Sequence, residues 1–239
     1  MKVFLCIGQS NMAGPKIVEW EKEDDDRLEG VLLLNDKDEW ESAKNPINGF
    51  STIRWQPFPG LSPAPTFAEK LKTALNEQIA LISNARGSSK IIEWQKGERY
   101  YEEAVRRAKA CGEQIDGIIW IQGEQDTVEE KDYKDYAKNF AKFIGDLRND
   151  LKNQQIPFIA CEIWGGDDYV KYAPEMYHRG ICEVNRQIKE VIKKTPNCDY
   201  ISSCGVEHTK GDEVHFAKEG MRVLGRRFAD KYLQMISDK

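Results

Sequence analysis

The chain has 239 residues, 40% hydrophobic and with 9 thinly spread prolines, which suits one α/β domain over 1–239 better than two domains with separate cores. Its 35 Lys and Arg face 40 Asp and Glu, a formal net charge of -5, so the basic footprint of a nucleic-acid binder is missing. The apolar start, Met1 to Gly8, is too short for a secretory or membrane-spanning segment, so a cytoplasmic protein with no membrane partner is expected.

The first apolar run, Val3–Ile7, reads as a β-strand. The charge run from Glu21 to Arg27 reads as a solvated face, and Val31–Leu34 is a lone strand candidate. Both lie in an irregular insertion at about 21–65 that is rich in Pro, Trp and Phe. Phe67, Leu71 and Leu75 then give a helical stripe, followed by a strand at Ile79–Ile82. A second helix carries Tyr101, Val105 and Ala108 and is closed by Gly112, ahead of a strand at Ile118–Ile121.

Tyr133, Tyr136, Ala137, Phe140, Ile144 and Leu147 form one long stripe, which precedes the strand Phe158–Ile163. The remaining elements are a helix over Ile181–Lys194 stopped by Pro196, a weaker strand at Tyr200–Ser203, and a helix over Ala217–Ile236. Runs apolar on both faces suit buried parallel strands, and the βα alternation predicts a three-layer α/β/α sandwich with a flavodoxin-like parallel sheet. The six cysteines lack the CxxC pairs of a zinc site and read as buried, reduced thiols.

In open parallel sheets, ligands bind beyond the carboxyl ends of the strands. Three small or polar clusters fall there: Gly8-Gln9-Ser10-Asn11-Met12-Ala13-Gly14, Ala85-Arg86-Gly87-Ser88-Ser89 and Gln122-Gly123-Glu124-Gln125-Asp126. Ser10, in a glycine-flanked turn, suits a nucleophile whose own N–H faces a developing oxyanion. His215 follows Asp212 by three residues, a spacing that lets the carboxylate hold Nδ1–H while Nε2 meets the serine. Asp212 is preferred over Glu213, whose side chain leaves the turn in another direction. Met12 stands where a lipase elbow has its second glycine, so a different serine-hydrolase architecture is needed.

Four blocks taken together resemble the SGNH-hydrolase superfamily, within it the carbohydrate esterase family 6 and sialate O-acetylesterase-like branch. They are Gly8-Gln9-Ser10-Asn11-Met12-Ala13-Gly14, Ala85-Arg86-Gly87, Trp120-Ile121-Gln122-Gly123-Glu124 and Asp212-x-x-His215-Phe216, in the family's order. The resemblance implies a cofactor-free serine esterase that removes acetyl groups from sugar hydroxyls, as acetylxylan esterases do. It also implies Ser10, His215 and Asp212 as the catalytic residues, with an oxyanion hole made by Ser10 N–H, Gly87 N–H and the Gln122 side chain. Two departures are Ile121, where this branch commonly has histidine, and Pro15 directly after the glycine turn.

Gln9, Asn11, Arg86, Glu124 and Trp94 are candidates for binding substrate or supporting the site. Glu124 reads more readily as structural, and Arg86 either holds an anionic group or pairs with Glu124. Trp55, Phe58, Trp94 and Trp164 flank strand ends where a sugar face can stack, although core packing explains any one of them. A metal site built on His208, Asp212 and His215 leaves Ser10 and Gln122 without a role, and His178 is given none. The expected partner is an acetylated carbohydrate. The alternatives are an SGNH lipase or thioesterase acting on other acyl esters, and a non-catalytic carbohydrate-binding protein.

Overall fold

The computed structural model describes residues 1–55, 59–163, 175–212 and 214–237. Phe58, Trp164 and Glu213 lie outside them. In chain order the elements are β1 (Lys2–Gly8), α1 (Ser10–Ala13), α2 (Lys22–Asp26), β2 (Val31–Leu34), β3 (Trp40–Ser42), α3 (Ala64–Leu75), β4 (Ile79–Ala85) and α4 (Arg99–Ala110). They continue with β5 (Ile115–Ile121), α5 (Glu130–Tyr133), α6 (Tyr136–Asp150), β6 (Phe158–Cys161), α7 (Glu175–Lys194), β7 (Cys198–Ile201) and α8 (Lys218–Ser237).

The sheet order is β3-β2-β4-β1-β5-β6-β7, with every pair parallel except β2 with β3. The run β4-β1-β5-β6-β7 is the flavodoxin-like arrangement expected of the five core strands. Strand period puts alternate residues of β1 on opposite faces. Val3, Leu5 and Ile7 join Trp94, Trp120, Phe140 and Phe143 in one core layer, while Phe4 and Cys6 join Phe67, Met221 and Phe228 in the other. Both faces of the sheet are therefore covered by helices, and β1 sits at its centre.

Several expectations need correction. The insertion is partly regular, because β2 lies parallel to β4 and β3 adds an antiparallel edge beyond it. The charge run is not simply solvated. Asp24 is 2% exposed and bonds Arg222 at 2.7 Å and Lys218 at 3.0 Å, pinning α2 to α8. The long stripe from Tyr133 is split into α5 and α6 around Lys134 and Asp135, and α7 starts at Glu175 rather than Ile181. Cys6, Cys111 and Cys161 are buried, whereas Cys182 is exposed. Among the described residues, no helix is long and apolar enough to cross a membrane.

Candidate active site

The carboxyl end of β1 is shaped by close backbone approach. Gly8 has φ +136, and a Cβ there would lie 2.1 Å from the Ile121 carbonyl oxygen, so only glycine fits. The next residue returns to β5 through Gln9 N–H to Ile121 O at 2.7 Å, and α1 begins at Ser10. Gly14 ends that short helix at φ +82, where a Cβ would meet Gly60 O at 2.1 Å. The insertion therefore passes directly over the Ser10 turn.

From the far end of the chain, the loop before α8 brings His215 to the same place. Asp212 Oδ1 accepts the N–H groups of Val214 and His215, both at 3.0 Å, which sets the loop. Its Oδ2 then lies 2.7 Å from His215 Nδ1, and His215 Nε2 lies 3.0 Å from Ser10 Oγ. Burial pushes the Asp212 carboxyl up, but the hydrogen bonds from His215 and Val214 outweigh it and hold the group below its ordinary value. Asn11 fastens the two segments: Nδ2 donates to Val214 O at 3.2 Å, and Oδ1 accepts Phe216 N–H at 3.2 Å. A hydroxyl, an imidazole and a carboxylate in this series can move a proton from Ser10 to His215 as the serine oxygen attacks.

Among the described residues, the N–H groups of Ser10 and Gly87 donate to no protein acceptor and border the same space. Gln122 does not join them. It is fully buried, and its Nε2 donates to Ser89 O at 2.8 Å and Asp126 Oδ2 at 2.5 Å, which engages both amide hydrogens away from the cleft. Gln9 is oriented by Gly123 N–H and Gln125 N–H, which donate to its Oε1 at 3.1 and 3.3 Å.

Glu124 is 3% exposed and accepts Asn11 Nδ2 at 2.7 Å, and burial pushes its carboxyl up. It makes no pair with Arg86, whose guanidinium stands over the Trp55 ring at 5.7 Å and the Tyr100 ring at 5.8 Å. Trp94 is completely buried and donates Nε1–H to Ser89 Oγ at 3.0 Å, so it supports the Arg86–Ser89 turn from beneath and does not reach substrate. His208 packs on Phe216 with ring centroids 4.6 Å apart, and His178 lies in α7. Among the described residues, no group of three His, Cys, Asp or Glu side chains is arranged to hold a metal ion. Sequence reasoning assigned nothing to Asp126, although its carboxylate anchors both Gln122 and the Ile91 N–H. The signal was available only as a carboxylate four residues beyond the glutamine.

Two clefts meet at Ser10, Ser88 and His215. One, of about 240 Å³, is largely apolar and is lined by Ala13, Pro15, Ile17 and Trp55, with Lys16 and Arg54 at its rim. The other, of about 540 Å³, is more polar and is lined by Gln9, Glu124, Gln125 and Gly211.

The chain is similar to known esterases along most of its length. A family model described as carbohydrate esterase, sialic acid-specific acetylesterase matches residues 1–234. A probable carbohydrate esterase of Arabidopsis thaliana is 28% identical over 250 residues, covering 97% of this chain and 90% of that protein. An X-ray structure from the same plant locus matches with a TM-score of 0.84 over 98% of both chains, at 28% identity. At the level of fold alone, a carbohydrate acetylesterase from Xanthomonas citri matches with a TM-score of 0.69 at 17% identity, over 95% of this chain and 55% of that one. An acetyl xylan esterase matches with a TM-score of 0.57 at 15% identity, over 97% and 99% of the two chains. With four sequence blocks in order, a flavodoxin-like sheet and a family match from end to end, this chain belongs to the sialic acid-specific acetylesterase family of carbohydrate esterases.

Proposed function

We propose that this protein removes O-acetyl groups from carbohydrates by two-step acyl transfer through Ser10, His215 and Asp212. Ser10 Oγ attacks the acetyl carbonyl carbon while His215 Nε2 takes the hydroxyl proton. The carbonyl oxygen gains the displaced electron pair and is met by the N–H groups of Ser10 and Gly87. Collapse breaks the bond to the sugar oxygen, which leaves with the proton held by His215. Water, deprotonated by the same imidazole, then releases acetate from the acetyl-enzyme. Gln122 stiffens the oxyanion turn through Ser89 in this scheme rather than donating to the oxyanion.

The observation that carries the reading is the unbroken series from Ser10 Oγ to His215 at 3.0 Å and from His215 to Asp212 at 2.7 Å, closed by residues 205 positions apart in the chain. Relatives named as carbohydrate esterases supply the sugar part of the proposal. The test is a chain-length series of p-nitrophenyl esters alongside acetylated oligosaccharides, with Ser10→Ala as blank. Acetate is expected to be cleaved much faster than octanoate, Ser10→Ala to lose turnover by several orders of magnitude, and a fluorophosphonate to label Ser10. Equal rates on acetate and octanoate favour a lipase instead, and an unlabelled, inactive wild type favours a binding protein.

One observation bears on the class of sugar. Lys16 and Arg54 line the apolar cleft and form no ion pair among the described residues, although Arg54 Nη1 already donates to Gly49 O and Ser51 O, in a chain with an acidic excess. We read this as a preference for O-acetyl sugars that carry a carboxylate over neutral acetylated xylan. A rate comparison of O-acetyl sialic acid with acetylated xylo-oligosaccharides at low and high salt decides between them.

A further inference from the structure

Trp55 is 66% exposed, whereas Trp94 and Trp120 in the core below are at 0%. Leaving an indole in water forgoes the burial that holds those two in place, so core packing does not account for it. Yet the ring is not loosely placed. The Arg86 guanidinium stands over Trp55 and Tyr100 at 5.7 and 5.8 Å, a cation stacked against two aromatic rings. Arg86 is itself fixed at the end of β4 by its N–H bond to Gly8 O at 2.9 Å, and it forms no ion pair among the described residues.

The distance to the reaction centre is short. A Cβ built on Gly87 would lie 3.5 Å from Cε3 of Trp55 and 3.8 Å from Cβ of Ser10. Gly87 therefore lies between the indole and Ser10, within van der Waals reach of both from the place a side chain would occupy. Trp55 and the half-exposed Ile17, with Ala13 and Pro15, make the apolar wall of the cleft. At about 240 Å³ this cleft is far roomier than an acetyl methyl needs, but it suits a sugar ring, whose C–H face lies well on an aromatic plane.

We infer that Trp55 is the platform on which the sugar ring stacks while its acetyl group lies at Ser10, and that Arg86 is the positioning residue that holds the indole there. This rests on the carbohydrate esterase reading and names the part of the site that recognises the sugar. Trp55 acts by contact with substrate. Arg86 acts through Trp55, so its removal affects neutral and acidic sugars alike.

The test compares kcat and KM of wild type, Trp55→Ala, Trp55→Phe, Arg86→Ala and Arg86→Lys on three substrates: a neutral O-acetyl methyl glycoside, O-acetyl sialic acid and ethyl acetate, which has no ring. For Trp55→Ala, the loss of kcat/KM on both sugar esters is expected to exceed the loss on ethyl acetate by about tenfold, carried mainly by KM, in line with one aromatic contact. Trp55→Phe should recover part of the loss, and Arg86→Ala should reproduce it on both sugars, with partial rescue in Arg86→Lys. Equal losses on ethyl acetate and the sugar esters overturn the platform. A loss in Arg86→Ala confined to sialic acid overturns the positioning role and makes Arg86 an anion ligand. If wild type hydrolyses none of the three, the esterase reading fails separately. Calorimetric titration of the methyl glycoside and free sialic acid into wild type and Trp55→Ala then still decides whether Trp55 binds sugar, equal affinities overturning it.

Discussion

Ser88 occupies the turn between the two clefts with φ +58, a left-handed conformation that costs an L-residue about 1–2 kcal/mol. Strain of this kind persists where the surroundings fix the backbone, and here Ser89 Oγ–H is tied to Arg86 O at 2.9 Å, which closes the turn around Gly87 and Ser88. Ser88→Gly is expected to stabilise the fold, raising Tm by about 2–4 °C per kcal/mol relieved for a chain of this size, as measured by calorimetry. A lowered Tm shows that the serine side chain makes a compensating contact. The same scale shows what a linear motif reveals. Ser10, Asp212 and His215 were legible because their geometry is local: a glycine-flanked turn for one, and a three-residue loop for the other two. Gln122 was misread because its motif says where the backbone goes and nothing about competing acceptors. Asp126 and the Ser89 carbonyl, reached only through the fold, turn its amide inward.

At the scale of elements, the core strands were legible because burial on both faces leaves an uninterrupted apolar run. β3 offers no such run: Trp40-Glu41-Ser42 lies half-exposed on an antiparallel edge. The rest of the insertion is held by polar contacts that no hydrophobic period records. Asn48 bonds the end of β4, donating to Ala85 O at 3.1 Å and accepting Ala85 N–H at 3.0 Å, and Thr52 N–H donates to Asn84 Oδ1 at 3.0 Å. The strongest anchor comes from α4. Arg107 is fully buried and donates to Phe50 O at 2.7 Å and Leu34 O at 2.8 Å. Burial pulls its pKa down from the ordinary arginine value, against the nearby Asp38 carboxylate, and its hydrogen bonds to Phe50 and Leu34 go to backbone carbonyls. Arg107→Met keeps the length but takes the donor from the buried Leu34 carbonyl and the part-buried Phe50 carbonyl, so a loss of roughly 2–5 kcal/mol is expected in denaturant unfolding. Because the released segment leads to Trp55, KM for sugar esters should rise as well. Unchanged stability shows that water or a shifted backbone satisfies both carbonyls.

The whole molecule carries opposing responses to pH. Asp24 and Asp212 have pKa values held below the ordinary range by their partners, so their contributions are present above that range and lost as acid protonates them in the folded state. Asp126 has the opposite sign. Burial raises it from 3.8 to about 7, against the hydrogen bonds from Gln122 and Ile91 that favour the charged form. Below pH 3.8 the group is protonated in both the folded and unfolded chain, and its contribution is fully present. As pH rises toward 7, the unfolded carboxyl ionises freely while the folded one resists, so stability declines and then levels off. At about 1.4 kcal/mol per pH unit, that decline is on the order of 4 kcal/mol. Asp126→Asn removes the group that titrates. Unfolding free energies at pH 4.5, 6 and 8 are therefore expected to fall less steeply in the variant, and the gap between variant and wild type to shift in the variant's favour as pH rises. The slope is the proper readout, because an amide changes the hydrogen bonds at Gln122 and Ile91 by a fixed amount at every pH, whereas general charge repulsion in a chain of net charge -5 is nearly common to both proteins. Parallel pH profiles would mean that Asp126 titrates at an ordinary carboxylate pKa, with water reaching it beneath the Arg86–Ser89 turn.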